Sequence, residues 1–194
     1  MRYKHFKNAN VDVSALAVGT WAIGGARYGD VNEKDSIEAI RAMLDGGVNL
    51  IDTAPAYGLG HSEKVVGKAI RDLDRSKFFL STKFGVNLIT LAYLKDPDNY
   101  RNRDSSFENV MYECESSLRR LGTDYIDFYF VHWPDPEIPF EETMKALELL
   151  RKQGKIRFIG VSNFNEEQIT ECQKYGVIDA VQPPYSMVNE RDKG

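Results

Sequence analysis

The chain has 194 residues, of which 42% are hydrophobic and 28% are charged, and its formal net charge at pH 7 is -4. A chain of this size and composition can bury a sizeable core as one globular domain. Acidic and basic residues are interspersed, which gives no sign of a nucleic-acid or membrane surface. No apolar run approaches the length of a bilayer-spanning helix, and the N-terminus lacks the apolar segment of a signal peptide.

The cysteine and histidine patterns argue against a disulfide-rich protein and against a metalloprotein. Cys114 and Cys172 are the two cysteines of the sequence, which make neither a disulfide framework nor a metal-ligand spacing. His5, His61 and His132 are scattered along the chain, so no metal site is predicted. We therefore expect a cytoplasmic protein that acts without a metal, a membrane or a nucleic acid.

The first half of the chain alternates short apolar strands with helical patterns. A weak alternation predicts an N-terminal β-hairpin, and Asn32 is a suitable N-cap for a helix that Gly46 and Gly47 end. The other predicted elements are strands at 16–19, 48–51 and 78–83 and a helix at 62–73. The strands at 48–51 and 78–83 each end at a charged residue.

The second half continues this alternation after a long polar stretch. Residues 85–104 contain Pro97, Asn99 and Asn102 and are predicted to be an excursion over the active face. Helices at 106–121, 141–153 and 166–175 then alternate with strands at 125–131, 156–161 and 180–182. Apolar strands that alternate with helices indicate a parallel sheet covered by helices.

Polar residues at the carboxyl ends of the strands distinguish between two parallel folds. A (β/α)8 TIM barrel gathers residues from many strand ends on one face, whereas a doubly wound sheet concentrates its site at one switch point. The chain has such residues on six strands, which favours the barrel: Thr20, Asp52, Lys83, His132, Ser162 with Asn163, and Gln182. A barrel needs eight strands and about 250 residues. We therefore interpret residues 1–194 as a single incomplete TIM-barrel domain of about six βα units.

Two alternative chemistries have weaker support. Gly58-Leu59-Gly60 lies between a strand and a helix, as in a dinucleotide-binding fold, but Glu63 stands at the third glycine position and would repel a pyrophosphate. A nucleophile elbow needs a glycine two residues after its serine, and Phe164 follows Ser162 there. Neither a Rossmann site nor a serine hydrolase is predicted.

A predicted catalytic set consists of Asp52, Tyr57, Lys83 and His132. A phenol titrates near pH 10 in water, and lowering its pKa by about 3 units takes roughly 4 kcal/mol. Lys83 could supply this by stabilising the phenolate of Tyr57, and Asp52 could hold Lys83 in place and keep it charged. His132 could hydrogen-bond a substrate carbonyl and fix its direction. The set suits protonation of a carbonyl oxygen while hydride reaches its carbon.

Each member of the set also has an ordinary structural explanation. Asp52 and Lys83 could form an ion pair between neighbouring strands. Tyr57 could be a packed aromatic residue of the turn, and His132 could be a hydrogen-bonded core histidine. Their joint occurrence at successive strand ends favours a catalytic site over independent structural roles.

Several short motifs match one family in combination. They are Gly19-Thr20-Trp21, Asp52-Thr53-Ala54-Pro55-Ala56-Tyr57-Gly58, Ser62-Glu63, Ser81-Thr82-Lys83, Val131-His132-Trp133-Pro134, Gly160-Val161-Ser162-Asn163-Phe164 and Gln182-Pro183-Pro184-Tyr185. Across its whole length the chain resembles the aldo-keto reductase superfamily. The Gln182 segment is most similar to bacterial reductases found near inositol-utilisation and stress genes. The combination is specific, although no single motif is.

The resemblance implies NADPH-dependent reduction of aldehydes or ketones, a small carbonyl compound as the substrate, and the reverse oxidation of alcohols. It assigns Tyr57 as the proton donor, with Lys83 and Asp52 lowering its pKa. It assigns His132 as the residue that orients the carbonyl. These roles agree with those inferred from the residues themselves.

The resemblance also implies the binding residues. The expected cofactor contacts are Gly19, Thr20, Trp21, Asp52, Ser162, Asn163 and Gln182, the last three at the nicotinamide carboxamide. The expected substrate pocket is lined by Trp21, Tyr57, His132 and Trp133. Hydroxyl and amide side chains have the donor and acceptor groups that a carboxamide requires.

The chain departs from the family in length. The last two strands and helices of the family's barrel have no counterpart here, nor have the aromatic residue that stacks on the nicotinamide and the basic segment that grips the 2′-phosphate. The choice between NADPH and NADH, the substrate and the oligomeric state stay open.

A catalytically silent fragment or binding subunit, akin to barrels of this family that serve channels, is the second interpretation. The presence of all four catalytic residues favours the enzyme.

We expect a polypeptide of residues 1–194 alone to bind NADPH weakly and to turn over carbonyl compounds slowly. An incomplete barrel leaves strand edges unpaired and its apolar interior uncovered. A fluorescence titration with NADPH measures the affinity, and a micromolar dissociation constant would contradict the expectation. The mass of the intact natural protein shows whether these residues belong to a longer chain.

Overall fold

The computed structural model describes residues 1–25, 29–86 and 103–185. Its first element is an antiparallel hairpin of strands β1 (Tyr3–Phe6) and β2 (Val11–Ser14). The turn between them includes Asn10 in a left-handed conformation, with φ of 51°. Asparagine tolerates this conformation better than most residues do. The predicted N-terminal hairpin is confirmed.

Six parallel strands follow among the described residues and form one curled sheet in which each strand pairs with the next one along the chain. They are β3 (Val18–Gly19), β4 (Leu50–Asp52), β5 (Phe79–Phe84), β6 (Ile126–Val131), β7 (Ile156–Ser162) and β8 (Ala180–Gln182). Strands that pair in sequence order fit a barrel, because a doubly wound sheet reverses its order at the switch point. The prediction of a barrel-type fold is confirmed.

Five α-helices lie between these strands within the described ranges. They are α1 (Glu33–Asp45), α2 (His61–Ile70), α3 (Phe107–Leu121), α4 (Phe140–Lys152) and α5 (Glu166–Cys172). The predicted N-cap of α1 is confirmed, since the side chain of Asn32 accepts the N–H groups of Lys34 and Asp35 at 2.9 and 3.3 Å. In the described part of the chain, no helix has both the length and the apolarity needed to cross a membrane.

Some predicted segments differ from the structure or lie outside it. Helices α2 and α5 each end three residues before the predicted position. In both, N–H groups just after the helix bond carbonyls only three residues earlier, those of Leu73 after α2 and of Lys174 and Tyr175 after α5. Such bonds form a tighter turn than an α-helix. Most of the predicted excursion at 85–104 lies outside the described residues.

Alternation along the strands divides their side chains between two faces of the sheet. One face packs against the helices through fully buried residues such as Ile51, Leu80, Tyr129 and Ile159. The other face packs against the hairpin and includes Leu50, Phe79, Phe128, Phe130 and Phe158. We call these the helix face and the inner face. By the same alternation, the side chains of four polar residues belong to the inner face: Asp52, Ser81, Lys83 and His132.

The register of the strands brings the candidate site residues to one edge. Asp52 pairs with Ser81, and Lys83 lies two residues further along the same strand. His132 follows the end of β6, where its N–H donates to the carbonyl of Phe84 at 3.0 Å. The carboxyl ends of β4, β5 and β6 therefore present their polar side chains at one place.

A partly buried carboxyl group lies behind this edge, between α3 and the end of β5. Glu113 accepts the N–H of Gly85 at 3.3 Å and the side-chain amide of Asn109 at 3.1 Å. Burial raises the pKa of Glu113 to about 7, and the charge of Glu63 adds to the rise. The two hydrogen bonds and the charge of Arg120 oppose it. In the folded protein Glu113 therefore changes charge near neutral pH.

We expect Glu113 to make the protein less stable as the pH rises from 4.5 to about 7. In this range the unfolded chain releases the proton while the folded chain retains it, so the folded state loses up to about 3 kcal/mol relative to the unfolded state. Glu113→Gln removes this titration. The free energy of unfolding of this variant should match that of the wild type near pH 4.5 and exceed it above about pH 7.

Urea denaturation across this pH range measures the effect. The control is Glu108→Gln, which removes a carboxyl group from the exposed side of the same helix and should leave the pH dependence unchanged. A Glu113→Gln protein whose stability has the same pH dependence as the wild type would contradict the prediction.

Candidate active site

Lys83 is the centre of the polar contacts in the site. Its ammonium nitrogen lies 2.9 and 2.8 Å from the two carboxylate oxygens of Asp52, 2.9 Å from the carbonyl oxygen of Thr53 and 3.3 Å from the hydroxyl of Tyr57. The residue is 1% exposed. Burial alone would lower the pKa of Lys83, but Asp52 and Tyr57 more than offset it and hold the pKa above its usual value. The ammonium is therefore a fixed positive charge beside the phenol.

Asp52 is held by groups from both neighbouring strands. The hydroxyl of Ser81 donates to its carboxylate at 2.5 Å. The N–H and the hydroxyl of Thr20 donate to its backbone carbonyl at 3.1 and 3.0 Å. The hydroxyl of Ser62 in turn donates to that of Thr20 at 2.8 Å. These bonds fix both the backbone and the carboxylate of Asp52 next to Lys83.

Tyr57 lies in a turn whose backbone is closed by its own hydrogen bonds. The N–H of Tyr57 donates to the Ala54 carbonyl at 3.1 Å, and the N–H of Gly60 donates to the Pro55 carbonyl at 2.7 Å. Gly58 and Gly60 have φ values of 65° and 83°, which favour glycine because it has no Cβ. The turn places the phenol over the end of the sheet and leads directly into α2.

A second backbone segment packs against this turn without intervening side chains. A Cβ on Gly58 would lie 2.3 Å from the carbonyl oxygen of Gly24, and a Cβ on Gly24 would lie 2.6 Å from the carbonyl carbon of Tyr57. Only glycine fits at either position without displacement of the backbone. The turn of Ala22–Gly24 therefore supports the turn that carries Tyr57.

The ring of His132 packs against that of Tyr57. The two rings meet edge to face, with centroids 6.1 Å apart and planes at 82°. Burial, and then the positive charge of Lys83, lower the pKa of His132 to about 3. The imidazole is therefore neutral at physiological pH and keeps one N–H donor. The structure brings all four predicted catalytic residues together.

Ser162, Asn163 and Gln182 form a second polar group at the ends of β7 and β8. The hydroxyl of Ser162 donates to the Gln182 carbonyl at 3.1 Å, and the amide of Asn163 donates to the His132 carbonyl at 2.9 Å. Asn163 has a φ of 62°. The hydroxyl and amide groups here suit hydrogen bonding to a carboxamide. These residues therefore fit the nicotinamide end of the predicted cofactor.

The other predicted binding residues lie along the same edge. Gly19 ends β3 beside Asp52, with no described atom within 4 Å of where a Cβ would stand. Trp21 is 51% exposed, and its ring centroid lies 6.4 Å from that of Tyr57. Trp133 is half-buried, and the guanidinium carbon of Arg103 lies over its ring, 5.3 Å from the ring centroid. Their roles in binding stay predictions.

Thr20 has a position that the sequence did not indicate. It was predicted to contact the cofactor, and the structure buries it completely with its hydroxyl bonded to Asp52 and Ser62. Its side chain therefore helps to hold the backbone of Asp52. Any cofactor contact by Thr20 stays a prediction.

Two further contacts of the site were not predicted. Ser81 donates to Asp52, and its position two residues before Lys83 on one strand could have shown that both face the same way. The bond from Asn163 to the backbone of His132 joins residues 31 positions apart. No local pattern in the sequence indicates such a contact.

Comparison with known proteins agrees with the fold. Residues 15–194 match the Aldo/keto reductase family, and the chain belongs to this family. It is 45% identical to the aldo-keto reductase YhdN of Bacillus subtilis over 188 residues, which are 96% of this chain and 54% of the relative. It is 38% identical to the NADH-specific methylglyoxal reductase of Escherichia coli over 187 residues, 93% of this chain and 57% of that relative. The chain thus spans about half the length of the curated relatives it matches.

Solved structures of the family are similar as well. The thermostable aldo-keto reductase Tm1743, solved with the inhibitor epalrestat, has a TM-score of 0.83 and 34% identity over 97% of this chain and 64% of that one. An aldo/keto reductase from Klebsiella pneumoniae, solved with NADP and acetate, has a TM-score of 0.69 and 34% identity over 87% of this chain and 52% of that one. The family predicted from the motifs is confirmed, and members of this family bind a nicotinamide cofactor.

We expect Gly58→Ala to destabilise the protein more than Gly122→Ala does. The two glycines have nearly the same φ, 65° and 66°, so an alanine carries a similar backbone penalty of about 1–2 kcal/mol at each. A Cβ on Gly122 meets no described atom within 4 Å, whereas one on Gly58 meets Gly24. Overpacking of this kind costs a further ~1–3 kcal/mol.

The difference between the two variants in chemical denaturation measures how tightly the Tyr57 turn is packed. Equal losses of stability in Gly58→Ala and Gly122→Ala would show that the two turns separate freely, contrary to the prediction.

Proposed function

We propose that the protein reduces aldehydes or ketones to alcohols with NADPH, with Tyr57 as the proton donor. The observation that carries the proposal is the buried Lys83 ammonium, which is bonded to Asp52 and lies 3.3 Å from the Tyr57 hydroxyl. A positive charge at this distance favours the phenolate and so makes the phenol a stronger acid. Nothing in a purely structural ion pair calls for a phenol at this place.

Lys83 donates to the phenol oxygen of Tyr57 and therefore does not take up the phenol proton. An ammonium has three N–H donors, and it has four acceptor atoms around it, of which the Tyr57 oxygen is the most distant. Lys83 therefore acts on Tyr57 through its charge more than through a short hydrogen bond. When Tyr57 gives its proton to the carbonyl oxygen, the ammonium is in place to stabilise the phenolate that remains.

His132 has a different task because it is neutral. With a pKa of about 3 it cannot be the acid at neutral pH, but its remaining N–H can bond the carbonyl oxygen. Its ring lies against that of Tyr57, so one carbonyl oxygen can contact both donors. His132 thereby orients the substrate while Tyr57 protonates it.

The cofactor would be held at the ends of β7 and β8 and beside Asp52. Ser162, Asn163 and Gln182 would bond its carboxamide, and Gly19 leaves room next to Asp52 for a flat ring to approach. The reduced nicotinamide, when bound, supplies the hydride that reaches the carbonyl carbon. NADPH is the cofactor that we propose, although a relative is specific for NADH. A small aldehyde is the substrate class that we propose, since that relative acts on methylglyoxal.

We expect Tyr57→Phe to lower kcat/KM for aldehyde reduction by at least about 100-fold, the range in which a general acid contributes. Affinity for NADPH should stay within about twofold, since the lost hydroxyl is assigned no cofactor contact and a twofold change is under 0.5 kcal/mol. Oxidation of NADPH and of NADH by the full-length gene product, with a panel of small aldehydes, measures the rates. Tyr112→Phe, which changes a tyrosine exposed on α3, is the matched control.

Three outcomes are informative. Reduction by the wild type that is lost in Tyr57→Phe and kept in Tyr112→Phe supports the proposal. Undiminished reduction by Tyr57→Phe would remove Tyr57 as the proton donor. A wild type that binds cofactor and reduces none of the aldehydes would favour the catalytically silent binding subunit.

A further inference from the structure

A hydrogen-bonded group of three residues lies on the helix face of the sheet, directly behind the site. The carboxylate of Glu63 accepts the hydroxyl of Thr82 at 2.7 Å and the Nε–H of Arg120 at 2.5 Å. Glu63 and Thr82 are both fully buried. We call Glu63, Thr82 and Arg120 the rear clamp. None of the roles assigned above belongs to them.

The rear clamp joins the two segments that carry Tyr57 and Lys83. Glu63 stands in the first turn of α2, which begins directly after the Tyr57 turn. Thr82 precedes Lys83 on β5, and the alternation of the strand points the two side chains to opposite faces. The bond between Glu63 and Thr82 therefore connects the base of the Tyr57 turn to the strand position next to Lys83.

Arg120, on α3, is the third member of the rear clamp. Its side chain lies over Gly60, where a Cβ would stand 2.7 Å from the arginine Cδ. Its guanidinium also donates to the hydroxyl of Ser117 at 3.1 Å. Arg120 thus holds the Glu63 carboxylate and covers the last residue of the Tyr57 turn. The end of that turn can move little without displacing a buried, hydrogen-bonded charge.

We propose that Glu63 and Thr82 are positioning residues that fix the distance between the Tyr57 hydroxyl and the Lys83 ammonium. This inference rests on the proposed function, in which Lys83 tunes the acidity of Tyr57. The two groups are 3.3 Å apart, and the Coulomb interaction between a phenolate and an ammonium weakens as their distance grows. A looser link between α2 and β5 therefore leaves the phenolate less stabilised.

Thr82→Val is the sharpest test, because valine keeps the shape of threonine and removes only the hydroxyl. Glu63→Gln is less direct, since loss of the negative charge by itself favours the phenolate and opposes the effect of a looser link. Thr82→Ser keeps the hydroxyl and should restore the behaviour of the wild type. Thr143→Val is the matched control, because Thr143, on α4, is also buried and its hydroxyl donates to the Ser105 carbonyl at 2.8 Å.

Two measurements on the full-length gene product separate positioning from a loss of stability. The first is the ionisation of Tyr57, obtained as the difference in phenolate absorbance between each protein and its Tyr57→Phe counterpart as the pH rises. We expect Thr82→Val to move the midpoint upward by about 0.5 to 1 pH unit. The second is aldehyde reduction, in which kcat should fall about three- to tenfold, the same free energy, while KM stays within about twofold.

The proposal is overturned if Thr82→Val and Thr143→Val lose similar stability and neither moves the Tyr57 midpoint. It is also overturned if Thr82→Ser fails to restore that midpoint. The absorbance titration does not depend on turnover, so a wild type without reductase activity contradicts the proposed function and leaves this test in force.

Discussion

The buried contact between Lys83 and Asp52 constrains the rest of the site. A lysine that is 1% exposed would lose its charge unless anionic and dipolar groups replaced the water around it. The Asp52 carboxylate and the Thr53 carbonyl provide that replacement. Removing one partner of such a pair leaves an uncompensated charge, which typically costs about 3–5 kcal/mol. The fold must therefore hold β4 and β5 in register, and the same register sets where the phenol can approach.

Strand β5 serves two purposes through the alternation of its side chains. Ser81 and Lys83 point to the inner face, where they contact Asp52, and Thr82 points to the helix face, where it contacts Glu63. One short strand is thereby linked to the carboxylate of Asp52 on one side and to the start of α2 on the other. A displacement of either layer of the structure is transmitted to the position of Lys83.

Much of this site follows from the sequence because its members occupy strand ends. Parallel strands with a common direction bring their carboxyl ends to one edge, so Asp52, Lys83 and His132 could be placed together without knowledge of any distance. The fold class and the cap at Asn32 were predictable for similar local reasons. The positions of the strand ends and the residue types found there were sufficient for these predictions.

Other features were not predictable because they depend on contacts between distant segments. The contact of Gly24 with Gly58 requires the exact approach of two turns, which no local pattern encodes. Thr20 has the polar type and strand-end position of a binding residue, yet its hydroxyl turns inward because Ser62 on a later helix offers a partner. Glu63 and Arg120 are 57 positions apart and meet only when α2 and α3 pack together.

In the proposed mechanism, the charge of Lys83 also helps to decide which neighbouring group is the acid. In the proposed mechanism the ammonium makes Tyr57 more acidic, and it adds to burial, the larger cause, in lowering the pKa of His132. A phenol gains acid strength from this charge, whereas an imidazole that has lost its proton can act only as a neutral donor or an acceptor. A positive His132 would also place a second cation near Lys83 in a buried space. Pairs of titratable groups whose pKa values are pushed apart can divide acid and orienting roles between them, and in the proposed mechanism burial and the charge of Lys83, held by Asp52, do this together.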